Sequence, residues 1–461
     1  MKTLILWLFT GVFCFSFAQT RLWGVTTSGG VNDDGVVYSV SQSGTDYTVE
    51  HYFDFVYGAT PMGNLALGSD GWFYGTCFDG GSWYSCTIFR IHATSGQFQH
   101  LWDFDIITGD FPTAGLVEYN QKMYGMASAG GSQGGGCIYS LDMVSGNYVQ
   151  EFALNSATGT MPNCEPLELD GALWGTVISG GPSFDGGIIR YDIANNVCAN
   201  VHFFNTLEGS QPYGGLVFAE GKLWGMTSNG GHDGFGVIYS IDPTTYEFQV
   251  HHNFSITEGG SPKGKLSWHN GKLYGLTELG GAHGDGSLFR FDPLSDYLEV
   301  LHNFNGLDGA TPSGDLRAVG NYLFGTTRTG GINNMGVIFS LDLGNGVYTT
   351  HHDFEYAQGA YPNGGSLTAS GPVTLDVDVE MALHPTVYPN PASEWADVKL
   401  GATAPQAVKL FGSDGKLLNT FMPEHATSDG VRVDLSAYQS GIYLLEIHAG
   451  DEVFSQRIVK K

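Results

Sequence analysis

Asn270-Gly271-Lys272-Leu273-Tyr274-Gly275, with Gly280-Gly281 shortly after, is the stretch whose reading decides how this chain folds. Asn-Gly flanked by apolar residues marks a tight hairpin, because the favoured two-residue turn needs positive φ at both central positions. Tyr274-Gly275 sets a large ring beside a residue with no side chain. That suits a strand whose ring packs on a neighbouring unit while the next position approaches another chain closely. The aromatic-glycine pair recurs at Trp23-Gly24, Tyr74-Gly75, Tyr124-Gly125, Trp174-Gly175, Trp224-Gly225 and Phe324-Gly325. The glycine pair recurs at Gly29-Gly30, Gly80-Gly81, Gly130-Gly131, Gly180-Gly181, Gly230-Gly231 and Gly330-Gly331. Prolines keep the same beat at Pro61, Pro112, Pro162, Pro212, Pro262, Pro312 and Pro362, each with a glycine three residues earlier. Independent columns in one register exclude chance.

After each glycine pair comes a short apolar strand, as in Val237-Ile238-Tyr239-Ser240 and Val337-Ile338-Phe339-Ser340. A third strand follows, such as Phe248 to Phe254, and then the glycine and proline turn. A short fourth strand, such as Gly215-Leu216-Val217-Phe218, runs through Glu220-Gly221 into the next aromatic-glycine strand. Four strands per unit without helical periodicity predict an all-β fold, a seven-bladed β-propeller of four-stranded blades over residues 19–371. The repeat begins directly on Leu22-Trp23-Gly24, without the preceding strand, and a spare strand reappears as Gly365-Ser366-Leu367-Thr368. Pairing the spare strand into the first blade would close the ring and remove the free edges that expose sheets to aggregation.

Leu323-Phe324-Gly325-Thr326-Thr327 and Leu301-His302-Asn303-Phe304, with the glycine pair, resemble the unit of the GloVer tandem-repeat family of bacterial exported proteins. The hairpin around Asn270-Gly271 also resembles Kelch-type repeats. The likeness covers residues 22 to 371 and implies no catalytic residues.

Composition agrees with this reading. Sixty-eight glycines, 13% aromatic and 14% charged residues in 461 fit many short strands and tight turns better than helices or disorder. A net charge of −27 with only 19 Lys and Arg argues against a nucleic-acid partner. It leaves cationic partners or a structural calcium open, although no residue pattern calls for a cofactor, and it also serves as a solubility charge on an exported surface.

Met1-Lys2, an apolar run from Leu4 to Phe17, and Ser16-Phe17-Ala18 before Gln19 follow the order of a signal peptide, residues 1–18. Phe13 before Cys14 argues against a lipid anchor on that thiol. No later segment is long and apolar enough to span a bilayer. Removal of Cys14 leaves Cys77, Cys86, Cys137, Cys164 and Cys198, an odd number, so at least one thiol is free. Cys77 and Cys86 flank Gly80-Gly81, and a hairpin-bridging disulfide between them is a reasonable expectation. Without paired C-x-x-C spacing, no zinc or other metal site is expected.

Past residue 371 the repeat stops. A linker, residues 372–386, leads to a second module over 387–461, whose segments Val408 to Phe411, Val431 to Leu435, Gly441 to Ile447 and Val453 to Val459 read as strands of a small Ig-like β-sandwich. Tyr388-Pro389-Asn390-Pro391, Lys409-Leu410-Phe411 with Gly415 after it, Gly441-Ile442-Tyr443 and the terminal Lys460-Lys461 resemble the type A sorting domain of type IX secretion. That resemblance implies passage through the periplasm, handling by the type IX machinery and a sorting peptidase, and a final place in the medium or on the outer-membrane surface.

Three constellations could carry chemistry. His51, His202, His252, His302 and His352 each sit two residues before an aromatic, but equivalent positions on neighbouring blades are too far apart to share one metal ion away from the axis. Asp142, Asp192, Asp242, Asp292 and Asp342 form a second column, and a residue that recurs in every blade serves the fold, here by capping a turn. The loops after the glycine pairs instead vary inside a fixed frame. They offer Asp33, Asp34, Trp83, Tyr84, Phe184, Asp185, His232, Asp233, Phe235, His283 and Asp285 on one rim of the ring, where recognition residues usually sit. Repeats 2 and 4 also depart from the pattern, with Trp72 and the two cysteines in one, Glu165 and Glu168 in the other. No phosphate loop, nucleophile elbow or metalloprotease motif occurs. These features favour a monomeric, non-catalytic binding module for a glycan or a protein, with a secreted glycan-active lyase or hydrolase as the alternative.

Overall fold

The computed structural model describes residues 20–44, 46–82, 85–362, 367–370, 385–388, 395–400, 407–412, 416–422, 431–449 and 452–460. The predicted signal peptide lies outside them. Two compact units divide the chain, Met1–Val373 and Thr374–Lys461.

The first unit carries seven antiparallel sheets in chain order, here called blades. Blade 6 is typical: Ser267–His269, Lys272–Thr277, Ser287–Asp292 and Tyr297–Asn303 run from the inner to the outer strand. Blades 2 and 4 add a strand from the crossover, Ala59–Pro61 and Thr160–Pro162, which pairs with a lengthened second strand, Trp72–Asp79 and Ala172–Ser179. The register slips by one residue between the two outer strands at the same place in every blade, as between Leu288 and Phe289. Such a bulge sharpens the local twist.

Seven hydrophobic clusters fill the spaces between consecutive blades. Trp23, Phe53, Phe73 and Phe89 join blades 1 and 2, Trp224, Phe254, Phe289 and Phe291 join blades 5 and 6, and Phe324, Ile338 and Phe354 meet Leu22, Val36 and Tyr38 to join blade 7 to blade 1. The last of these makes the sheets a ring. Thr368–Ser370 supplies the innermost strand of blade 1, pairing with Arg21, Leu22 and Trp23, and Trp23 Nε1 donates to Ser370 Oγ at 3.1 Å. The closing strand thus spans Thr368–Ser370, shifted by two to three residues along the chain from the segment expected and overlapping it at Thr368; Gly365 and Ser366 lie outside the described residues.

The aromatic-glycine column has the close approach its composition predicts. Gly225 faces Tyr239 on the adjacent strand, and a Cβ there would land on the Tyr239 hydroxyl. The same holds at Gly24 with Tyr38 and Gly125 with Tyr139.

The expected Cys77–Cys86 disulfide is absent, and all five described cysteines are buried thiols. The reason is side-chain parity. Cys77 pairs with Thr87, so Cys86, one residue earlier, points to the opposite face of the sheet. Accordingly Cys77 packs in the cluster shared with blade 1 and Cys86 in the one shared with blade 3.

The second unit is a β-sandwich. Pro385–Tyr388, Trp395–Leu400 and Val431–Asp434 form one sheet; Leu417–Phe421, Ala407–Phe411, Gly441–Ala449 and Glu452–Lys460 form the other. Ala396, Val398 and Val433 of the first meet Val408, Leu410, Leu445, Ile447 and Ile458 of the second in one core.

Candidate functional site

Because the strands of a blade alternate in direction, the loops after the glycine pairs share one face of the ring with the crossovers between blades. The two are bonded together: Gly81, Gly231 and Gly281 N–H donate to Phe55, Thr206 and Ile256 carbonyls at 2.8–2.9 Å. The residue before each column proline has positive φ, from Thr60 at 54° to Tyr361 at 58°. Except at Phe111, whose N–H turns to the Cys86 sulfur, its N–H is held by a rim-loop carbonyl, as in Thr60 to Asp34 at 2.8 Å, Gln211 to Asp185 at 2.9 Å, Ser261 to Phe235 at 3.0 Å and Thr311 to Asp285 at 3.0 Å. Asp34, Asp185, Phe235 and Asp285 therefore anchor the crossovers through their main chain.

The rim loops vary in side chain far more than in backbone. Their third position is left-handed in each blade described there, at Asp33, Gly134, Phe184, Gly234, Gly284 and Asn334. Asp33 Oδ1 accepts the Gly29 N–H at 3.0 Å, and bonds from Tyr356 and Gly29 hold its carboxyl below the usual range. Burial pushes the Asp34 carboxyl up, with Asp33, Asp54 and Asp79 adding to the shift. Asp185 accepts from Thr206 Oγ1 at 3.0 Å. Phe235, one of the rim candidates, packs partly buried against the blade 5–6 cluster. Phe184, 75% exposed, and the outward-facing His283 remain free of the frame. His232 is also exposed, bonded to Asp233 at 2.6 Å. Trp83 and Tyr84 lie outside the described residues.

The two repeated columns are structural. His51, His202, His302 and His352 stack on Phe98, Phe248, Tyr348 and Tyr47 of the next blade, with ring centroids 3.8–3.9 Å apart and planes within 8°. Burial pushes the His51 imidazole down to about 4 and lowers those of His202, His302 and His352. Asp142, Asp242 and Asp292 accept backbone N–H bonds from the turn that follows them, which is the predicted cap. Glu168 caps a hairpin through Gly171 N–H at 2.8 Å, and Trp72 lies under the Arg90 guanidinium. Among the described residues no group of three or more His, Cys, Asp or Glu side chains is placed to hold a metal ion.

The rim-loop reading missed the centre of the ring. Residues that follow six of the column prolines, Pro61 through Pro312, line a cavity of about 270 Å³, with Arg328 reaching in from a strand end. The third position reads Asn64, Gly115, Glu165, Gly215, Lys265 and Asp315 around the axis, and the polar members close into a network. Asn64 Nδ2 donates to Glu165 Oε2 at 2.9 Å and to Asp315 Oδ2 at 2.8 Å. Lys265 Nζ donates to Glu165 Oε1 at 3.0 Å, and Lys265 N–H donates to Asp315 Oδ1 at 2.6 Å. Burial works against the Lys265 ammonium, but the Glu165 and Asp315 carboxylates overcome it and push it up to about 12. Burial outweighs Lys265 at Asp315, whose carboxyl is raised. The same cavity is lined by Tyr213, Lys263, Asn163, Thr113, Ser313 and Arg328.

A family model described as the Gloeobacter/Verrucomicrobia repeat matches residues 17–189 and 162–374. The chain belongs to that family. A model of the secretion system C-terminal sorting domain matches residues 386–461, so this GloVer protein is exported through type IX secretion to the cell surface or extracellular space. No curated protein matches the chain. Among solved structures, a putative 6-phosphogluconolactonase from Bacteroides fragilis is 15% identical with a TM-score of 0.53, covering 76% of this chain and 97% of that one. A periplasmic gluconolactonase from Pseudomonas aeruginosa is 14% identical with a TM-score of 0.50, covering 76% and 99%. At these identities the likeness shows a shared propeller fold and nothing of the chemistry.

In the sorting module Tyr388 ends a strand, while Pro389, Asn390, Pro391 and Lys461 lie outside the described residues. Gly441 pairs with Lys460. Tyr443 Oη donates to Gln439 O at 2.7 Å, and Lys460 Nζ donates to the carbonyls of Leu435 at 2.6 Å and of Tyr438. Sorting residues therefore also fasten the last strand to the preceding loop.

Proposed function

We propose that the GloVer ring acts outside the cell as a non-catalytic recognition module, with a small polar ligand in the central cavity and larger ligands extending over Phe184, His232 and His283. The acting unit on this reading is residues 19–371, freed of the 1–18 leader and, after sorting, of 387–461. One observation carries it: all four carboxylate oxygens of Glu165 and Asp315 already hold a donor from Asn64 or Lys265. Glycoside hydrolysis needs one carboxyl free to give a proton and a second free to attack the sugar or activate water. A saturated pair supplies shape and polarity instead.

The convergence of two carboxylates on one cavity is the feature that a glycan-active lyase or hydrolase would use, so the test must read turnover as well as binding. The full mature chain is offered a glycan panel, with calorimetry for binding and chromatography for products. Saturable binding without product is expected. Product formed by the wild type and lost in Glu165→Gln overturns the proposal.

A further inference from the structure

Resting on that reading of the cavity, we infer that its ligand is an acidic sugar whose carboxylate meets Arg328. The charges lining the cavity fall into two sets. Lys265 and both acids are consumed by one another, and Lys263 is held by Glu278 at 2.6 Å. Arg328 has no side-chain partner among the described residues and stands exposed at the mouth. The same column in the other blades reads Thr27, Phe78, Ser128, Ile178, Ser228 and Glu278, so the guanidinium belongs to no repeat requirement.

A second, independent group points the same way. Ser313 is 8% exposed and lines the cavity, and its Oγ has no hydrogen-bond partner. A buried hydroxyl left unmatched costs free energy unless something else completes it. Asn163 accepts from the Thr113 hydroxyl through Oδ1, which leaves its amide N–H groups without a described partner.

The unconsumed groups of the cavity are thus mostly donors: a guanidinium fork, an amide and hydroxyls. Their complement is rich in acceptors, and a planar carboxylate matches the guanidinium fork in two parallel bonds. Tyr213, with Lys263 Nζ 5.7 Å from its ring centre, offers a half-polar aromatic platform in the same cavity. A cavity at the small end of the usual ligand range suits a single ring rather than an extended chain. The net charge of −27 does not forbid this, because charges beyond the Debye length, about 8 Å at physiological ionic strength, are screened from the cavity.

The test is calorimetric titration of the full mature chain with glucuronate, galacturonate, glucose, galactose and inorganic sulfate. Saturable binding of a uronate at least tenfold tighter than its neutral counterpart is expected. Arg328→Gln, which breaks no internal contact, should remove that preference, and Ser313→Ala should weaken binding several-fold. Neutral sugars binding as well as uronates, unchanged by Arg328→Gln, would overturn the acidic-sugar assignment and leave the recognition reading intact. Sulfate binding as tightly as the uronate overturns the sugar part. Uronate converted to product defeats recognition itself, whatever Arg328 does.

Discussion

Two rings of side chains run around the same propeller under opposite rules. The outer ring, between blades, repeats: imidazole stacks on the next blade's aromatic four times, and Trp102 on Tyr148 takes the same place at 4.6 Å. The inner ring, at the third position after each proline, does not. The difference follows from distance to the axis. An outer residue meets only its neighbour one blade away, so a single good pair can be copied around. An axial residue meets blades two or more steps away, as Asn64 meets Glu165 and Asp315. An identical charge copied there would face itself across the cavity at strong Coulombic cost. Charge at the axis has to be assembled from unlike residues, and that is where a ring of equal blades becomes a particular site.

The largest effect is expected from removing the cation on which the axis depends. Lys265→Met removes the ammonium from Glu165 Oε1 and from beside Asp315, which keeps only the Asn64 amide and the main-chain N–H of residue 265. Loss of one partner of a largely buried pair costs about 3 kcal/mol, read by urea denaturation monitored by tryptophan fluorescence. Adding Glu165→Gln should recover much of the loss, since one negative charge then has no need of the ammonium. Equal stability of Lys265→Met and wild type would reduce the network to decoration.

A smaller effect is expected where the repeat itself is at stake. Gly225→Ala sets a methyl group on the Tyr239 hydroxyl inside a closed sheet, and overpacking of this kind costs about 2 kcal/mol. The same change at Gly221, where no atom lies close but φ is +73°, should cost less, through backbone strain alone. If Gly221→Ala proves the worse of the two, the close-approach reading of the aromatic-glycine column is wrong.

The contrast also explains what could be read in the sequence. Repetition made the blades legible, because seven copies of a glycine, a proline and a ring leave a beat that no single residue can disguise. The spare strand at the end was legible for the same reason, to within three residues. Cys77 and Cys86 were misjudged because nine residues of separation describe a hairpin without saying on which face each thiol falls. The rim loops drew notice through their variation, yet a left-handed residue at a fixed place and a carbonyl tie at the end make several of them framework. At the axis only Glu165 stood out beforehand. Asn64, Lys265 and Asp315 sit up to 251 positions apart, and nothing local links them. The signal was present in the column itself, which reads Asn, Gly, Glu, Gly, Lys, Asp, Gly, a position fixed in register and free in identity.

The gentlest test acts on the outer ring through pH. Burial holds the imidazoles of His51, His202, His302 and His352 neutral in the fold against the pull of nearby Asp54, Glu208, Asp308, Asp353 and Glu355. Their folded pKa values therefore lie below the unfolded value near 6.5, so the unfolded chain takes up protons first as the pH falls. The stability they contribute is intact above about pH 6.5 and drains away as the pH falls below it, reaching down to about 4 for His51. His302→Phe keeps the stack on Tyr348 and removes the proton, so its unfolding midpoint should fall less between pH 7 and pH 5.5 than that of the wild type. Parallel slopes for His302→Phe and the wild type would mean that the imidazoles are already charged in the fold, and the outer ring would then be held by its Asp and Glu partners rather than by its stacking.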